Sequence, residues 1–126
     1  MLEQVKEFEG NALALKIVDA FTEEDENLAQ KFFNEKLERG FENLNLLIDI
    51  SEWKITKTNF KAGLEDLKFV LKNLHKIGNI AIVGHSKIEK LLVPIDNWFY
   101  KKICKGKEER YFDISQMKVA IEFVTT

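Results

Sequence analysis

Leu44-Asn-Leu-Leu-Ile-Asp-Ile50 is the stretch whose reading decides the fold. Five of its seven residues are apolar, and they do not alternate as they would in a strand with one wet face. Such a run reads as a strand covered on both sides. A second run of the same kind, Ile80-Ala-Ile-Val83, follows about thirty residues later and closes on Gly84. That spacing leaves room for a helix between two buried strands, which implies a crossover connection and parallel pairing.

Upstream of Leu44, Thr22-Glu23-Glu24-Asp25 has the makings of a helix start. The Thr22 side chain can cap free backbone N–H groups, and the acids favour the positive end of the helix dipole. Leu28, Ala29, Phe32, Phe33 and Leu37 then form one apolar stripe, and Gly40 can end the helix in a left-handed turn. Further upstream, Leu2–Phe8 and Ala12–Val18 flank Glu9-Gly10-Asn11, the pattern of an antiparallel hairpin.

Downstream, Ser51–Lys57 reads as a polar loop leading to a helix capped by Thr58. Its stripe is Phe60, Leu64, Leu67, Leu71 and Leu74, and Gly78-Asn79 is its expected stop. A longer helix is expected from His85 or Ser86, with Ile88, Leu91, Leu92, Ile95, Trp98, Phe99 and Ile103 on one side and a kink or break at Pro94. Glu109–Phe112 reads as a last strand, and Ser115–Val124 as a closing helix with Met117, Ala120, Ile121 and Val124 inward. The expected order is β-β-α-β-α-β-α-β-α, a mixed, mostly parallel sheet with helices packed against it.

With 126 residues, one proline and six scattered glycines, the chain reads as a single α/β domain over residues 1–126, without a linker. Ten phenylalanines suit a bulky core, or a domain that meets an apolar ligand. A formal net charge of -2 gives no basic field for nucleic acid. The charge is uneven, from -6 over residues 1–30 to +3 over residues 101–110, a pattern that solvated helix ends and loops account for. The single Cys104 excludes an internal disulfide, and no apolar run approaches the ~20 residues that span a bilayer. A cytoplasmic location is expected, with peripheral attachment to the inner membrane face as its variant.

Catalytic signatures are missing from the sequence. There is no Gly-rich phosphate loop, nucleophile elbow or H-E-x-x-H motif. His75 and His85 are spaced unlike metal ligands, and Cys104 has no partner histidine or second cysteine nearby. Glu65 and Asp66 are adjacent, so they cannot face each other as an acid–base pair. The expectation is a domain that is not an enzyme, with no cofactor and no metal.

Four segments carry a likeness. Leu46-Leu-Ile-Asp-Ile-Ser-Glu-Trp53 ends a buried strand with an acid and leads into a loop with tryptophan. Asp66-Leu-Lys-Phe69 lies in the following helix. Ile80-Ala-Ile-Val-Gly-His-Ser-Lys-Ile-Glu-Lys-Leu-Leu92 passes from strand to helix, and Arg110-Tyr-Phe-Asp113 precedes the last helix. Together they resemble the SpoIIAA-like family of small bacterial proteins, related to the STAS domains of anti-sigma factor antagonists. The resemblance implies a short (βα)n superhelix whose later strands are parallel and in sequential order.

It also implies two functions. In anti-sigma antagonists a serine or threonine at the start of the second helix, usually in an Asp-Ser-Ser-Gly-like motif, is phosphorylated to switch binding of a regulatory protein. Asp49, Ser51, Thr56 and Thr58 occupy that region here, although the motif itself is absent and Thr58 doubles as an N-cap. SpoIIAA-like proteins are also similar to lipid-binding CRAL-TRIO domains. On that likeness Trp53, Ile95, Trp98 and Phe99 would line a groove near Pro94, with Lys101, Lys102 and Lys105 facing anionic headgroups. The leading expectation is thus a binding domain for an apolar small molecule or an anionic membrane surface, and the second a phospho-regulated protein-interaction domain. Nucleic acid is not an expected partner, and the oligomeric state is open, a homodimer included.

Overall fold

A computed structural model describes residues 1–54, 77–85 and 109–125. The strands are β1 (Leu2–Lys6), β2 (Ala12–Asp19), β3 (Leu44–Trp53), β4 (Ile77–Gly84) and β5 (Glu109–Asp113). They form one sheet in sequential order, with β1 antiparallel to β2 and β2 through β5 parallel. This is the mixed, mostly parallel sheet that the alternating runs imply. Helix α1 (Glu23–Leu37) and a closing helix α2 (Met117–Thr125), entered through a 3-10 turn at Ile114–Gln116, are the helices among the described residues. The helices expected after Thr58 and after His85 lie outside them.

Alternation along β3 explains why its apolar run is nearly continuous. Leu44, Leu46, Ile48 and Ile50 join Leu13, Leu15, Ile17 and Ile80 in a core that receives Ala29 and Phe33 of α1. Leu47 lies in a second core with Ala12, Ala14, Ala81 and Val83, which receives Ala120 and Val124 of α2. The sheet therefore has α1 on one face and α2 on the other. Alanines on the α2 face let a nine-residue helix approach closely, so residues too small to fill space alone still build a core. All seven phenylalanines among the described residues, Phe8, Phe21, Phe32, Phe33, Phe41, Phe112 and Phe123, lie in these two cores or against them.

Helix α1 starts as its sequence dictates. The Thr22 hydroxyl accepts from the Asp25 N–H at 3.2 Å, and the Asp25 carboxylate accepts from the Thr22 N–H at 2.9 Å. The Met1 ammonium lies 3.2 Å from the same carboxylate. Burial alone would raise the Asp25 pKa, but the Thr22 N–H and hydroxyl, with the ammonium, outweigh it and hold the carboxyl below its ordinary 3.8. At neutral pH Asp25→Ala should therefore cost about 1–2 kcal/mol. Because the folded pKa is the depressed one, this stabilisation is present above pH ~3.8 and is lost as pH falls through the folded value. Urea unfolding at pH 7 and below pH 3 checks this: the difference between wild type and variant should shrink in acid, and a constant difference would refute it.

The far end of α1 is tied to the hairpin. Lys36 is buried, and its ammonium donates to the Phe8 carbonyl and lies 5.8 Å from the Phe41 ring centre. Desolvation, followed by repulsion from Arg39, lowers its pKa against the pull of Glu7. Gly40 adopts φ +100°, so the left-handed stop anticipated from the sequence is present.

Three strands carry an extra residue, and the insertions in β3 and β4 correct the sequence reading. In β1 the pairing steps from Gln4 to Lys6 while β2 advances by one, leaving Val5 as a bulge. Bulges, together with the exposed Glu3 and Lys6, are devices that blunt an edge strand. In β4 the pairing steps from Ile77 to Ile80 while β3 advances by two. Gly78-Asn79, expected to stop a helix, is instead a bulge inside a strand. In β3 the pairing steps from Asp49 to Glu52 while β2 goes from Lys16 to Val18. The strand thus continues to Trp53 through residues expected to form a loop.

Candidate functional site

Loops at the carboxyl ends of parallel strands are where α/β sheets place their ligands. Here that rim holds Asp19 of β2, Asp49 to Trp53 of β3, Gly84 of β4 with His85 beyond it, and Asp113 of β5. Its geometry follows from the β3 bulge. Asp49 is 3% exposed, and its Oδ1 accepts the Ser51 N–H at 2.9 Å, which satisfies a donor that the bulge takes out of the ladder. The extra residue also reverses the alternation beyond it. Without it Trp53 would share a face with Asn45, Leu47 and Asp49; with it Trp53 turns to the α1 side, where its ring centre is 6.4 Å from that of Phe21.

Glu52 turns the other way and pairs with Lys16, the one charged residue in the apolar core of β2. Beside them the chain leaves β2 through Asp19, whose φ of +63° is a left-handed conformation that aspartate tolerates better than most residues. The Asp19 carbonyl accepts the Lys54 N–H at 2.9 Å, and its carboxylate lies 3.5 Å from the Lys54 ammonium. At the other end of the rim, Asp113 accepts the Ser115 N–H at 3.0 Å and its hydroxyl at 2.6 Å, capping the turn into α2.

Of the residues singled out from the sequence, the structure brings Asp49 and Ser51 together at one corner. Ser51 is half-buried inside a strand, not at a helix start. Trp53 is a buried core residue at 9% exposure. Thr56, Thr58, Ile95, Trp98, Phe99, Lys101, Lys102 and Lys105 lie outside the described residues, as do His75 and Cys104. Lys16, Asp19, Glu52 and Lys54 escaped the sequence reading. The signal for Lys16 was present, a single cation in Ala-Leu-Ala-Leu-Lys-Ile-Val, but its partner could be found only once the bulge was known.

The rim therefore offers two ion pairs of opposite orientation, Lys16 inside Glu52 and Asp19 beside Lys54, around a carboxylate already committed to the backbone. Among the described residues no group of three potential metal-ligating side chains converges. No described helix is long and apolar enough to cross a membrane. Charges of both signs at this rim, with Glu52 paired to Lys16 and Asp19 to Lys54, suit recognition of a complementary polar surface. A family model described as SpoIIAA-like matches residues 12–125, covering β2 through α2. No curated protein and no solved structure matches the chain.

Proposed function

Because the chain belongs to the SpoIIAA-like family, we propose that it is a non-enzymatic regulatory domain that binds a protein partner through the carboxyl rim of β2 and β3. The observation that carries this reading is the β3 bulge. Bulges re-aim side chains next to functional sites, and this one sets Ser51 and Glu52 at the rim while closing Trp53 into the core. Asp49 and Ser51 of this corner also belong to the stretch that the likeness to anti-sigma factor antagonists marks for a phosphorylation switch, with Ser51 lying within the strand ahead of the expected helix start. A phosphate on Ser51 would add about -1.5 to -2 charge between Asp49 and Glu52 and disrupt the corner by repulsion, which makes it an off-switch for binding. The apolar-ligand and membrane alternatives, drawn from likeness to CRAL-TRIO domains, rest chiefly on residues 95–105. Trp53, their one described member, is occupied in the core.

Affinity capture with quantitative mass spectrometry, using wild type, Lys16→Glu/Lys54→Glu and Ser51→Glu proteins, tests the reading. A partner held by wild type should be lost about tenfold or more from both variants, as expected for reversed charges at a recognition rim. Equal recovery from all three would refute the rim. Flotation of wild type with anionic vesicles, with no protein retained, would favour the membrane alternative. Circular dichroism confirms that the variants fold.

A further inference from the structure

We propose that the α-amino group of Met1 clamps the turn at Asp19, and that acylation of this amine is a modification that releases the rim corner held by that turn. The Met1 ammonium donates to the Val18 carbonyl at 2.8 Å and to the Ala20 carbonyl at 2.8 Å, and it lies 3.2 Å from the Asp25 carboxylate. Three N–H donors thus meet three acceptors. Only the first contact belongs to the ladder: the Met1 carbonyl accepts the Val18 N–H at 2.7 Å, so these two residues exchange bonds as an antiparallel pair. A peptide N–H at this position would serve Val18 and leave Ala20 and Asp25 without this donor. The other two contacts need the ammonium.

The two carbonyls that it bridges stand on either side of Asp19. The Ala20 N–H donates to the Val18 carbonyl at 2.8 Å across Asp19 at φ +63°, the pattern of a γ-turn in its rare, strained form. Such a conformation persists only where its surroundings over-determine it, and the ammonium does so by pinning the carbonyl on each side. The Asp19 carbonyl in turn accepts the Lys54 N–H at 2.9 Å, so the turn holds the end of β3 at the rim. Met1 is 56% exposed, open to a modifying enzyme. Transfer from an acyl thioester acts on the free amine, one proton having passed to solvent: the C–N bond forms, the C–S bond breaks, and a second proton leaves with the thiol. One N–H and no charge remain, enough for the ladder but not for the turn. As regulation of partner binding this rests on the rim reading; as a clamp on the turn it does not.

Amide hydrogen exchange of the full chain with a free Met1 amine, of the same chain Nα-acetylated, and of Asp25→Asn in both forms tests the clamp. Acetylation should speed exchange of the Lys54 amide about tenfold or more, while that of Leu47, in the middle of β3, changes less than about threefold. Asp25→Asn should shrink the effect of acetylation, because the ammonium has already lost its charged acceptor. A Lys54 amide indifferent to acetylation, or one that quickens no more than Leu47, overturns the proposal. So does native protein whose intact mass shows further residues ahead of Met1. Affinity capture with the acetylated chain reads the rim separately. Release of the Lys54 amide with partner recovery unchanged refutes the regulatory role and spares the rim, whereas a wild type without a partner refutes the rim and spares the clamp.

Discussion

Replacing Phe33 with alanine should destabilise the fold by about 3–5 kcal/mol, the usual cost of removing a fully buried aromatic side chain. Phe33 is 1% exposed and sits on the inward line of α1, one turn after Ala29. Few other α1 side chains reach the core as fully: Ala29 is small, and Leu28, Phe32 and Leu37 are only partly buried. The neighbouring β2 and β3 residues belong to a sheet fixed by its ladders and cannot readily close the space left behind. The capping box of α1 would survive the substitution, so the helix should form but dock poorly. Urea unfolding followed by circular dichroism checks the magnitude. A loss under about 1 kcal/mol would mean that the sheet collapses onto the cavity and that α1 is held mainly by its ends.

The second large effect is expected from Asn45, one of two polar residues in the run that fixed the fold. Its Nδ2 donates to the Val124 carbonyl at 2.9 Å and its Oδ1 accepts the Asn79 N–H at 2.8 Å, while the residue is 7% exposed. A single side chain thus joins the end of α2 to the bulge in β4. Asn45→Ala would strand a carbonyl and an N–H, at about 1–3 kcal/mol each, for a total of about 2–6 kcal/mol. Gly78 is part of the same arrangement. A Cβ there would press into the Asn45 amide oxygen, well inside van der Waals contact, so Gly78→Ala should also destabilise. The two changes should be strongly non-additive, because removing the amide removes the obstacle to the new methyl group. A double-mutant cycle decides the matter. If Gly78→Ala costs as much without the Asn45 amide as with it, the clash is not the reason for the glycine.

Asn45 and Asp49 also show why the site was only partly legible in the sequence. Both are polar interruptions of an apolar strand, and Asp49 reads as a strand-end acid, yet neither residue reveals its partner locally. Each accepts an N–H that a bulge has removed from the ladder, the Asn79 N–H for Asn45 and the Ser51 N–H for Asp49. A bulge is a mismatch between two strands far apart in sequence, so it leaves no periodic signature in either one. Gly78-Asn79 resembles a helix stop because glycine serves both settings: it tolerates the left-handed turn that ends a helix, and here it leaves room for the Asn45 amide oxygen that a Cβ would press into. The likeness that puts Trp53 in a groove fixes no direction for its side chain, which depends on the register of β3 with β2. Extension of β3 through Glu52 gave it a direction, and the bulge decided which face that was.

The run from Leu44 to Ile50 by itself determined that the sheet is covered on both faces, and its spacing from Ile80 determined parallel pairing. The Thr22–Asp25 cap, the Gly40 stop and the inward residues of α2 were equally local, because capping and helical periodicity act within a few residues. Tertiary structure decided the placement of α1 and α2 on opposite faces and the pairing of Lys16 with Glu52. It also set the side on which Trp53 lies. These depend on register, and a one-residue change in register sends every following side chain to the other face of the sheet.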